Sequence, residues 1–123
     1  MQPVASVLTE IVIDCRAPRL VADFWAAVLG WTVVDDERGF CWASSTGDLA
    51  PPILVFVPVP ETKSTKNRVH LDVNPTGVDQ DEELDRLLAL GATPVDVGQS
   101  NVPWVVLADP EGNEFCLLAR RAD

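Results

Sequence analysis

One order of apolar patterns occurs twice along this chain, and it constrains the fold more than any other feature. Residues Leu8–Cys15 alternate around β-branched positions and predict a strand. Pro18 then suits the first turn of a helix, where its missing N–H costs nothing. Leu20, Val21, Phe24, Trp25, Val28 and Leu29 recur at helical spacing, and Gly30 stops the helix where a left-handed cap is favoured. Trp31–Asp35 and Phe40–Ala43 predict a strand pair around Glu37-Arg38-Gly39. Ser44–Pro52 reads as a polar loop, and Ile53–Val57 as a strand ended by Pro58 and Pro60.

After a charged connector at 59–67 the order begins again. Arg68–Val73 predicts a strand. Asp81-Glu82-Glu83 opens a helix with carboxylates at its positive end. Leu84, Leu87 and Leu88 form its buried stripe, and Leu90-Gly91 closes it. Thr93–Val97, Pro103–Ala108 and Glu114–Ala119 predict three more strands. The last two flank Asp109-Pro110-Glu111-Gly112-Asn113, whose Pro and Gly suit a short hairpin. Leu29-Gly30 in one half answers Leu90-Gly91 in the other, a repeat of pattern rather than of residues. The expectation is an α+β fold of two βαβββ modules forming a curved mixed sheet cup with helices outside. A single domain spans 1–123, with module one at about 8–58 and module two at about 68–120.

Length agrees with this, because 123 residues suit one compact domain. The chain carries 9 basic and 19 acidic residues, a net charge of -10. Such a surface repels phosphate backbones and anionic lipid, which argues against nucleic-acid and membrane partners. It is compatible with a cationic small molecule. No apolar run approaches the roughly 18–20 residues of a membrane span, and Met1–Glu10 has neither a basic start nor an apolar signal core. Cys15, Cys41 and Cys116 are odd in number and sit inside apolar segments. They read as reduced thiols, which points to a cytoplasmic protein.

Strand alternation gives the candidate site. In Arg68–Asn74 one face carries Arg68, His70, Asp72 and Asn74, and the other carries Val69, Leu71 and Val73. Burying unpaired polar groups costs roughly 2–7 kcal/mol each, so the polar face must meet solvent, a partner or a wet cavity. Glu10, Val12 and Asp14 share a face of the first strand, and Glu114, Cys116 and Leu118 share one of the last. If the polar faces line one cup, Glu10, His70 and Cys116 approach each other. His70, the sole histidine, is either a ligand or acid–base group, or a hydrogen-bonded residue orienting Asp72 or Arg68. Glu10 is a ligand, a general base or a partner for Arg68, and Cys116 is a pocket residue or an apolar filler. Trp25 and Trp31 belong to the helix and its exit, and read as core. Trp42 and Trp104, with Phe40 or Phe56, are candidate aromatic walls for a flat ligand. Lys63, Lys66 and Arg68 flank the cup strand as a solvated connector or as partners for an anionic group. No Ser-His-Asp order, phosphate loop or dinucleotide fingerprint stands out.

Several segments together resemble the glyoxalase-like branch of the vicinal oxygen chelate superfamily. They are Ile13-Asp14-Cys15, Phe24-Trp25 with Leu29-Gly30-Trp31, Lys66-Asn67-Arg68-Val69-His70-Leu71-Asp72, and the run from Trp104 through Asp109-Pro110-Glu111-Gly112-Asn113 to Cys116. The resemblance covers about Leu8 to Arg120; one departure is Ala17, where the family often has Asp. It implies paired modules around a cup, often in a homodimer. In the family's metal enzymes each module supplies one ligand from its first strand and one from its last. Carried over, the first-strand positions fall on Glu10 and His70. The last-strand position of module two falls on Cys116, where metal-dependent relatives have Glu. Its counterpart in module one falls near Leu54 to Phe56, which are apolar.

This incomplete set leads to a metal-independent protein that binds a small molecule in the cup. Drug or metabolite sequestration of the bleomycin-resistance type is its form. Its ligand-binding residues would be Trp42, Phe56, Arg68, His70, Asp72, Trp104 and Cys116. No cofactor is expected, with a divalent metal belonging to the alternative reading. The alternative is a lyase, isomerase or epimerase acting on a small carbonyl substrate. There Glu10 and His70 hold a divalent metal or move the proton. A purely structural interaction module fits least well, because polar inward faces serve it poorly.

Overall fold

A computed structural model describes residues 4–45 and 51–123. The chain divides into two compact units, one up to Pro60 and one from Glu61 onward. The first unit holds β1 (Glu10–Cys15), α1 (Pro18–Leu29), β2 (Thr32–Asp35), β3 (Cys41–Ser44) and β4 (Ile53–Pro58). The second holds β5 (Leu71–Val73), α2 (Gln80–Leu90), β6 (Thr93–Pro94), β7 (Val105–Ala108) and β8 (Glu114–Leu117). The expected βαβββ order is thus present in both. Of the loop predicted at Ser44–Pro52, residues 46–50 lie outside the described residues.

The repeat extends to topology. The first sheet runs β1-β4-β3-β2 and the second β5-β8-β7-β6. In each, the first strand pairs in parallel with the last, and the remaining pairs are antiparallel. A parallel neighbour requires a crossover, and the helix and the two middle strands supply it in both units.

Helix α1 spans the predicted residues. Pro18 stands in its first turn, and Ala17, at the N-cap, makes no side-chain cap hydrogen bond. Gly30 ends it at φ 70°, a left-handed conformation that glycine adopts without steric cost. Val21, Phe24, Trp25 and Val28 are buried, as their spacing predicts, whereas Leu20 keeps 55% of its surface exposed; Phe24 meets Trp25 edge-on with centroids 5.6 Å apart. Helix α2 begins one residue earlier than its acidic run suggests. The Asp79 side chain caps it by accepting from the Glu82 N–H at 3.0 Å.

All four strands of the second unit are shorter than predicted: β7 starts at Val105 rather than Pro103, β8 ends at Leu117 rather than Ala119, and β5 and β6 lose more. β5 covers Leu71–Val73 rather than Arg68–Val73. Before Leu71 the backbone leaves the ladder, and the Asn67 N–H donates to the Glu114 carboxylate at 2.9 Å. β6 stops at Pro94 rather than Val97. There the Asp96 carboxylate accepts from the Gly98 N–H, and the Gln99 side chain accepts from the Val97 N–H, both at 2.8 Å. Those turns replace ladder bonds.

The hairpin between β7 and β8 follows its sequence signal. Asp109, buried at 2% exposure, accepts from the Glu111 and Asn113 N–H groups and from the Asn113 side chain at 2.9–3.0 Å. Gly112 takes φ 90° there. This turn sets the register of β7 on β8. Leu107, Phe115 and Leu117 are fully buried on one face, while Asp72, Cys116 and Val106 lie abreast on the other.

Candidate functional site

The face carrying Asp72 and Cys116 forms the floor of a cavity of about 250 Å³ in the second unit. Val97, Trp104, Val106 and Leu118 give it an apolar wall, and His70, Asp72, Cys116, Lys66 and Glu114 give it polar groups. Their common orientation is a consequence of the period of two along β5 and β8. His70 stands just before β5 and Asp72 within it, two residues apart. Glu114, Cys116 and Leu118 are likewise two apart at and just beyond β8. Trp104, directly before β7, keeps 41% of its surface exposed.

Three groups meet on the floor. His70 Nδ1 lies 3.3 Å from Asp72 Oδ1. One potential ligand atom from each of His70, Asp72 and Cys116 falls within 4.8 Å of the other two. His70 and Asp72 are exposed, whereas Cys116 is buried. Burial pushes the Cys116 thiol up, and the adjacent Asp72 carboxylate adds to that shift by charge and by accepting its hydrogen bond. Free of other bonds, this is a protonated thiol at neutral pH rather than a nucleophile.

The rim is held by an ion pair between the exposed Lys63 and the buried Glu114. Glu114, 7% exposed, accepts from Lys63 Nζ at Oε1 (3.1 Å) and from the Asn67 N–H. Lys63 Nζ also stands 2.7 Å from Oε2, an ion contact without the geometry of a directional hydrogen bond. Burial works to raise the Glu114 carboxyl, but the Lys63 and Asn67 donors outweigh it and hold it below its ordinary range. Lys63 and Asn67 thereby fasten residues 61–67, part of the predicted connector, to β8 within the second unit.

The sequence-predicted residues are distributed unequally. His70, Asp72, Trp104 and Cys116 all line this cavity. Arg68 is exposed and is not among its lining residues. Glu10 is exposed at the start of β1, in the first unit. Trp42 is half-buried there, and its indole N–H donates to Asp36 at 3.2 Å. Burial acts to raise the Asp36 carboxyl, but the Arg38 guanidinium, this indole and two backbone N–H groups bring it down to about 2. Phe56 is fully buried and sits in register with Ile13 and Cys41, on the opposite face of the first sheet from Trp42. The two do not share a wall, because neighbouring residues in a paired strand alternate faces. Lys66, Val97, Val106, Glu114 and Leu118 are the lining residues not singled out as ligand contacts. The alternation Glu114-x-Cys116-x-Leu118 is the sequence signal for Glu114 and Leu118, and Lys66 stands in the basic group flanking the cup strand.

Paired βαβββ units with these helix and hairpin signatures define the vicinal oxygen chelate fold. Residues 10–118 match the family profile described as glyoxalase-like domain, and the chain belongs to that family. No curated protein matches significantly. Among solved structures, a glyoxalase/bleomycin resistance protein/dioxygenase family enzyme from Burkholderia phytofirmans PsJN is similar, with 22% identity and a TM-score of 0.63. That match covers 91% of this chain and 97% of the other. The fosfomycin resistance protein FosX from Listeria monocytogenes, in a manganese(II) complex, has 11% identity and a TM-score of 0.71, covering 98% and 94%. Glyoxalase I from Leishmania major has 15% identity and a TM-score of 0.62, covering 94% and 87%. At these identities the likeness is one of fold.

The four-position metal set that the family resemblance implies does not fit this chain. Its β4 position falls on Leu54, Val55 and Phe56, all buried and without a donor atom. Its β8 position holds a thiol in place of a carboxylate. Hard cations take several oxygen ligands, and this set offers few.

Proposed function

We propose that this protein binds a small molecule in the cavity of its second unit. One observation carries the reading: an apolar wall of Val97, Trp104, Val106 and Leu118 stands over a compact polar floor. That combination of apolar surface for affinity and a few polar groups for orientation is what small-molecule sites use. Trp104 supplies the largest surface and is already exposed to an incoming ligand. Asp72 and His70 offer a carboxylate and an imidazole to its polar end. A flat, amphipathic molecule with a donor or cationic group matches this arrangement, and sequestration of such a molecule needs affinity only.

A second reading, proton transfer in an isomerase- or epimerase-type reaction, has one observation in its favour. The Asp72 carboxylate beside His70 Nδ1 orients the imidazole and leaves its other nitrogen for a substrate.

Quenching of tryptophan fluorescence by a panel of flat amphipathic compounds tests the binding reading. Saturable quenching that is lost in Trp104→Ala and retained in Trp42→Ala supports it. Absence of any saturable ligand, or equal affinity in Trp104→Ala, overturns it. Turnover of a carbonyl substrate abolished by His70→Ala would establish the second reading instead.

A further inference from the structure

We propose that the ligand of this cavity carries an uncharged polyhydroxylated arm, of the kind a sugar provides, and that the arm lies in a second groove beside the cavity. The proposal deepens the small-molecule reading above and rests on it.

The groove adjoins the cavity within the second unit. Its volume is about 380 Å³, and Lys66, Val97 and Glu114 line both spaces. Ser64 and Thr65 line it from the connector, Asp96 from the turn after β6, and Glu111 from the β7–β8 hairpin. The cavity's own volume, about 250 Å³, falls below the roughly 300–1,000 Å³ of small-molecule sites. The two spaces together lie within that range, so a ligand confined to the cavity would use only part of the concavity present.

The charges in the groove select an uncharged arm. The shared wall is already neutralised, because the Glu114 carboxylate stands 2.7 Å from the Lys63 ammonium. What remains is mixed: the Lys66 ammonium, the Asp96 and Glu111 carboxylates, and the hydroxyls of Ser64 and Thr65. A single ion of either sign would gain from one of these charges and be repelled by another. A hydroxyl both donates and accepts, so a row of hydroxyls serves ammonium, carboxylate and hydroxyl neighbours alike.

The walls divide the work between the two spaces. Trp104 and Val106 line the cavity and not the groove, whereas Ser64, Thr65 and Asp96 line the groove and not the cavity. Lys63 Nζ donates to the Thr65 carbonyl at 2.6 Å, which fixes the stretch of connector that presents the two hydroxyls. Lys66 Nζ donates to the Asn67 carbonyl at 3.2 Å. An ammonium has three donors, so Lys66 can also serve a glycosidic oxygen at the junction. A flat ring against Trp104 thus continues past Lys66 into a hydroxylated arm.

Isothermal titration calorimetry of the full chain with naphthol, naphthyl glucoside, naphthyl phosphate and naphthyloxyethylamine tests the proposal. The same flat ring then carries no arm, a hydroxylated arm, an anion or a cation. The glucoside should bind about tenfold or more tightly than each of the others, the yield of several added hydrogen bonds. The double variant Ser64→Ala, Thr65→Val and the single variant Asp96→Ala should each weaken the glucoside by about three- to tenfold, the loss of one or two such bonds. Both should leave naphthol binding unchanged, whereas Trp104→Ala should weaken naphthol and glucoside together. Ser64, Thr65 and Asp96 are exposed, and circular dichroism checks that the variants stay folded. A glucoside no tighter than naphthol, or one whose affinity survives both groove variants, would overturn the proposal and leave the cavity reading standing. Tighter binding of the phosphate or the amine would overturn it in favour of a charged arm. Failure of all four compounds to bind would overturn it too. Failure of the cavity reading itself shows separately, as the absence of saturable quenching by any flat compound.

Discussion

Asp72 Oδ1 lies 3.3 Å from His70 Nδ1, and the two side chains share a face because a single residue separates them along the chain. Register across β5 and β8 then sets Cys116 beside Asp72. An orienting carboxylate, an imidazole and a thiol therefore meet on one cavity floor within a single βαβββ unit.

Trp104 presents most of the cavity's exposed aromatic surface. Trp104→Ala should weaken ligand binding by roughly tenfold or more, the loss of about 1.5–3 kcal/mol of aromatic burial. Because only 41% of its surface is exposed, the variant should also lose some folding stability. Ligand titration and thermal unfolding of the same variant separate the two effects.

The Lys63–Glu114 pair makes stability depend on pH. The folded Glu114 carboxyl is held below its ordinary value of 4.5, so the unfolded chain takes up that proton first. The pair's contribution is full above about pH 4.5 and fades as pH falls through the depressed folded value. Urea unfolding of the wild type should therefore lose stability below pH 4.5 more steeply than Glu114→Gln does. A Glu114→Gln variant with the same acid slope would show that the pair contributes nothing to it.

Lys63→Met should destabilise the protein at pH 7 by more than Glu114→Gln does. It leaves a carboxylate that is 7% exposed without its ammonium, and an unsatisfied buried polar group costs about 1–3 kcal/mol. Glutamine at 114 remains able to accept from the Asn67 N–H. Chemical denaturation of the two variants side by side checks the order.

Asp109→Ala should cost about 1–3 kcal/mol, because it strips hydrogen bonds from buried backbone N–H groups of the β7–β8 turn. Since that turn sets the register bringing Cys116 onto the cavity floor, ligand binding should fall along with stability. Asp109→Asn, which keeps an acceptor, should lose less of both.

Cys41 should resist alkylation in the folded state. Burial first, then the adjacent Asp35 carboxylate at 3.2 Å, push its thiol up to about 11. At pH 8 only about one molecule in a thousand then carries the reactive thiolate. Mass spectrometry after iodoacetamide treatment should show Cys41 modified far more slowly in native than in denatured protein. Equal rates would refute this.

Local pattern alone determined much of this molecule. Helix α1, the β7–β8 turn and the repeated βαβββ order are each encoded by neighbours a few residues apart: Pro18 and Gly30 at the helix ends, Asp109 and Gly112 in the turn. The placement of His70 and Asp72 on one strand face followed from a period of two. Gln99 ends β6 through local bonds to Val97 and Val95 that alternation does not register. The start of β5 was decided elsewhere, because Asn67 bonds Glu114, 47 positions along the chain. The same holds for the site. Spacing could not tell that Trp42 and Phe56 lie on opposite faces of the first sheet, since their strands had no register until paired. Nor could it set Asp72 beside Cys116, 44 positions further along. Alternation assigns each residue a face of its own strand, and only tertiary pairing determines which faces and which residues meet.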